Sequence, residues 1–209
     1  MATAGELSKI YADALSVSEV HVAVRYRALR EAGLVIRAAR GRHTPDRTPL
    51  EVARLLIAVM GAQAIADVEA VVRWVGQLGC VHYAGPEKLR RQYETHSFEQ
   101  ILLLILVDLQ LIGEGKQAEM GTTGAKLAIT LSQTRLLVRV ENRDVYALYE
   151  REGDGSGLPI QTPQCAAATT RLLSNRMHRG LEIEARVEGQ ALAVLTKAIT
   201  PWEGYTRLY

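Results

Sequence analysis

Cysteine, phenylalanine and net charge are all scarce in this chain: its 209 residues include two cysteines and one phenylalanine, and the formal net charge is +2. Cys80 and Cys165 stand far apart, with no second cysteine or histidine at metal-ligand spacing. That excludes a disulfide framework and a structural zinc, and favours a reduced, cytoplasmic protein. The near balance of 25 basic and 23 acidic residues excludes a chain that binds polyanions with its whole surface. Any nucleic-acid contact has to come from a patch. Long apolar runs are missing too. The longest, Ile101 to Val107, stops at Asp108, well short of the roughly 20 residues a membrane span needs, so no membrane partner is expected. The opening, MATAGELSK, has neither a basic-plus-apolar signal nor an arginine-rich transit composition.

Motifs that carry chemistry are equally thin. The histidines His21, His43, His82, His96 and His178 are scattered without ligand spacing. GEGKQ lacks the upstream glycine and following hydroxyl of a phosphate-cradling loop. GDGSG lacks the acidic ligands of a calcium loop. Asp67 and Glu69 are two apart on an expected helix and do not share a face, which removes the obvious acid pair. No catalytic residue, metal or cofactor is expected.

What is present reads as an α+β protein. Apolar residues make up 48% and charged residues 23%, which is ordinary globular composition. Thr3 and Glu6 form a capping box for a helix to about Leu15. Ser18 caps a second helix that Gly33 ends, with Leu34 to Ile36 as a short strand after it. Thr48 and Pro49 start a helix to about Gly61, and further helices are expected over 64–78 and 97–112. After a glycine-rich stretch the hydrophobic period becomes two, around Leu127 to Leu131, Leu136 to Val140 and Val145 to Tyr149. An open loop over 152–164 and a short helix over 165–175 follow, then a strand near LEIEARVEG and a closing helix over 190–199. The expected organisation is a winged helix-turn-helix head at 1–62, a helical connector or dimerisation region at 63–112, and a linker at 113–124. A small α+β unit with an antiparallel sheet, for dimerisation, ligand or partner binding, occupies 125–209.

Charge singles out Val20 to Arg47. Seven arginines face only Glu31 and Asp46, leaving +5 on one stretch of a nearly neutral chain. On a helix, Val22, Tyr26 and Leu29 fall on one side, and Glu19, Ala23, Arg27 and Arg30 on the other. A helix placed in a major groove and an arginine-rich wing on the neighbouring phosphates would use this charge. Ser18, Glu19, Arg27 and Arg30 are the expected contacts at or near base edges, with Arg25 and Tyr26 beside them. Arg37, Arg40, Arg42 and His43 are the expected wing and phosphate contacts. Arg25 also borders the apolar face, where it could brace the fold instead.

GELSKIYADALSVSEVHVAVRYRALREAGLV, an arginine turn and TPLEVARLLIAVMG resemble the winged helix-turn-helix head of MerR-type regulators over about the first 60 residues. The order LREAGL, an arginine-glycine turn and a TP-started helix also resembles regulators of alphaproteobacterial prophages and related mobile elements. The resemblance implies a double-stranded DNA partner and transcription regulation. No effector-binding cysteines or long coiled coil follow the head, so it implies no inducer. A homodimer is expected, since two linked heads match a palindromic site. Two other readings remain open: a phage DNA-packaging protein like a terminase small subunit, and an adaptor in phage–host conflict whose arginine patch meets an acidic protein.

Overall fold

The first two helices end in the same way. Helix α1 (Ala4–Leu15) closes on Ser16 at φ 54°, and the Val17 amide returns to the Ala12 carbonyl at 3.1 Å. Helix α2 (Glu19–Glu31) closes on Gly33 at φ 70°, with the Leu34 amide on the Leu29 carbonyl at 2.9 Å and the Gly33 amide on Arg30 at 3.2 Å. These are Schellman turns, which satisfy carbonyls that a helix end otherwise leaves open. Between the helices, Ser18 Oγ accepts from the His21 amide at 3.2 Å and so fixes the start of α2.

The computed structural model describes residues 4–36, 48–116, 126–133, 137–150 and 184–198. Helix α3 (Pro49–Gly61) starts on Thr48, whose hydroxyl accepts from the Glu51 amide at 3.2 Å. It is buried along nearly its whole length and forms the centre of the helical layer. A 3₁₀ turn (Ile65–Asp67) leads into α4 (Val68–Gly76), followed by strand β1 (Gly79–Ala84) and helix α5 (Glu87–Thr95). Helix α6 (Phe98–Gly113) begins where the Ser97 amide donates to Gln100 Oε1 at 2.8 Å. It ends in a third Schellman turn on Gly115. Strands β2 (Leu127–Ser132), β3 (Leu137–Asn142), β4 (Val145–Glu150) and β5 (Glu184–Glu188) precede helix α7 (Gly189–Leu195) and a 3₁₀ turn at Thr196–Ala198.

All sheet pairings among the described residues are antiparallel, in the order β1-β4-β3-β2-β5. Ile129, Val140, Ala147, Tyr83 and Val187 occupy one buried face, consistent with the period of two. The opposite face of β2 carries only Ala128, Thr130 and Ser132. Long side chains from its neighbours cross above these small residues: Arg139 of β3 pairs with Glu184 of β5, and Arg186 of β5 pairs with Glu141 of β3 at 3.2 Å.

One continuous core holds Leu7 and Leu29 together with Leu56, Ile105, Val140 and Leu195. It does not divide at 113–124, because α7 packs on α1 and α6, and β1 joins the sheet through β4. The α+β class and the antiparallel sheet match the sequence reading, but the 63–112 region is not wholly helical. It contributes an edge strand as well as three helices. The expected strand at Leu34–Ile36 is not formed among the described residues. Arg54 Nη1 takes the Leu34 carbonyl at 2.7 Å and the Glu51 carboxylate takes the Ile36 amide at 2.7 Å, so side chains of α3 replace a ladder there.

Candidate nucleic-acid interface

Helix α2 has two unlike sides. Val22, Arg25, Tyr26 and Leu29 are buried, whereas Glu19, Val20, Ala23, Arg27 and Glu31 are exposed. The outward side therefore runs Val20, Ala23, Arg27 at the three- and four-residue spacing of one helix face. Ser18 stands exposed at the helix start, with its hydroxyl engaged as the cap. A shallow groove of about 400 Å³ separates this side from α1, lined by Gly5 and Ser8 on one wall and by Glu19, Val20, Ala23 and Arg27 on the other. Tyr26 and Arg30 also border it.

The arginines of α2 divide sharply in environment. Arg27 is highly exposed and forms an ion pair with Glu31 at 2.8 Å, one turn on. Such an exposed pair is worth little and exchanges readily for another anion. Arg30 is half-buried at the groove edge. Arg25 is only 5% exposed, and its guanidinium donates to the Ala62 carbonyl at 2.6 Å and the His21 carbonyl at 3.3 Å. Burial lowers its pKa from the ordinary arginine value. Of the two roles that the sequence leaves to Arg25, it occupies the bracing one. Tyr26 is 3% exposed and packs in the core, so its side chain offers the groove little beyond an edge.

The sequence-expected residues Arg37, Arg40, Arg42 and His43 lie outside the described residues. The two ends of that segment are described, however, and both are tied to the first turn of α3. Ile36 donates to the Glu51 carboxylate, and Thr48 accepts from the Glu51 amide. A second groove of about 350 Å³ lies beside this junction, lined by Leu34, Ile36, Pro49, Arg54 and Leu103 among others.

Sequence reasoning missed the residues that hold α2 in place. His21 is half-buried, with its ring bonded to the Val59 carbonyl and its pKa lowered, chiefly by burial and then by the Arg25 charge. Gln133, just after β2, donates to the Met60 carbonyl at 2.5 Å. The C-terminal carbonyls of α3 are thus shared among side chains from α2 and the sheet, and the cation among them, Arg25, is the charge that the peptide dipoles favour at a helix C-terminus. Among the described residues no group of three His, Cys, Asp or Glu side chains could hold a metal ion, and no helix is long and apolar enough to cross a membrane. No model of a known protein family matches the chain, and neither does any curated protein or solved structure.

Proposed function

We propose that the chain is a sequence-specific, double-stranded-DNA-binding regulator of transcription, of the kind carried by prophages and related mobile elements, acting as a homodimer and without catalysis. The observation that carries this reading is the outward side of α2. It is a capped helix joined to α1 by a three-residue turn, with Arg27 exposed, Arg30 at the groove edge and the arginine-rich 37–47 stretch next in the chain. Arginine suits both contacts such a head makes, because its planar fork pairs with a guanine edge or with a phosphate. One head with a few phosphate contacts binds weakly. Two linked heads gain avidity on a palindromic site, which is why the reading includes a dimer.

The test is binding of the full chain to labelled duplexes from around its own gene over a salt series, beside a variant with Arg37, Arg40 and Arg42 changed to glutamate. One duplex should bind tightly, with affinity falling steeply as salt rises. If each arginine neutralises one phosphate, losing three should flatten the log–log slope by about 3. Weak, equal binding to every duplex, unchanged in the variant, would overturn the reading.

A further inference from the structure

Charge is graded along the outward side of α2. Its first two turns expose Glu19, Val20 and Ala23 and no arginine, and the cations Arg27 and Arg30 come only in the second half. A duplex phosphate would be drawn to the arginine end and repelled by Glu19, so the two ends cannot both rest on backbone. The cation-free end is left for the floor of the major groove. Val20 is 71% exposed there, an apolar side chain outside the core that the described residues form. Among the described residues, the facing wall of α1 presents the small Gly5 and Ser8 to this groove. From Val20 to Arg27 the helix rises about 10 Å, which spans about three base pairs. Within that reach the one apolar feature a base edge presents is the C5-methyl of thymine.

We infer that Val20, with Ala23 one turn on, reads thymine methyl groups, while Arg27 and Arg30 hold the adjoining backbone. This rests on the DNA-binding reading above and assigns its specificity. The apolar stripe is two small side chains wide, which fits a pair of methyl groups and is far too small for a stable protein interface.

The experiment first selects a site for the full chain from random duplexes, then replaces each selected thymine in turn by deoxyuridine, which lacks only the methyl. Binding is measured for wild type and for Val20→Ala, a change that removes no buried contact and favours the helix. At one or two positions deoxyuridine should weaken wild type about fourfold, the factor for removing one buried methyl group from contact. In Val20→Ala the same replacement should cost less than about twofold, because the methyl has already lost its partner. Equal sensitivity in both proteins, or a selected site without thymine, would overturn the inference and leave the regulator reading standing. Failure to enrich any sequence, with no salt-dependent retention of any duplex, would remove both.

Discussion

The Arg25 guanidinium reaches from α2 to the Ala62 carbonyl at the end of α3, 2.6 Å away, while Arg27 two residues on points outward to Glu31. Replacing Arg25 by methionine keeps most of the volume but strands a buried carbonyl. It should cost about 1–3 kcal/mol. Arg27→Met loses only an exposed i,i+4 pair and should change stability by less than about 0.5 kcal/mol. Urea unfolding midpoints at matched slopes separate the two, and similar losses would show that Arg25 is not the brace.

His21 makes the same junction sensitive to acid. Burial and the neighbouring Arg25 charge lower its pKa in the folded chain, while the bond to the Val59 carbonyl opposes them. The unfolded chain therefore binds the proton more readily near pH 6.5. Stability from this group is fully present above that unfolded value and is lost as pH falls toward and through the folded pKa. Thermal midpoints of wild type should drop over this window more than those of His21→Gln. Parallel profiles for the two proteins would remove His21 as the cause.

Local signals marked the ends of α2, because a serine cap and a glycine stop act within one turn of chain. The start of α6 and the alternation of β2 to β4 were legible for the same reason. Strand β1 was not. Its register slips between Cys80 and His82, and that bulge breaks the alternation by which a strand is read. Helix α5 buries only Leu89 and Tyr93, one i,i+4 pair in an otherwise polar sequence. The fate of Arg25 could not be read locally either. It carries the same side chain as Arg27 and differs only because the end of α3 arrives beside it.

Two glycines should respond to alanine for different reasons. At Gly61 an added Cβ would lie 2.6 Å from Val71 Cγ1, a buried, β-branched side chain in the core of α4. Gly61→Ala should lose about 1–3 kcal/mol through overpacking. Gly33 has nothing within 4 Å of the added atom, but its φ of 70° disfavours any L side chain. Gly33→Ala should cost about 1 kcal/mol of backbone strain. Relative to the loss that Val71→Ala causes alone, adding it should recover part of the loss at Gly61 and none at Gly33, which a five-variant unfolding series of the three single and two double substitutions would decide.

Arg54 ties the chain leaving α2 to both α3 and α6. It sits on α3, pairs with Glu99 of α6 through two bonds at 2.8 and 3.2 Å, and also donates to the Leu34 carbonyl. Its side chain and that of Glu99 are 24% and 21% exposed, so bulk solvent screens the pair only in part. The Arg90–Glu87 pair of α5 is much more open, at 42% and 80%. Double-mutant cycles should give a coupling of about 1–2 kcal/mol for Arg54–Glu99 and a clearly smaller one for Arg90–Glu87. In 1 M salt the second should fall to near zero while most of the first survives, since a half-buried bidentate pair keeps its geometry and its low local dielectric. A coupling for Arg54–Glu99 that vanishes with salt would mean that Arg54 acts through the Leu34 carbonyl alone.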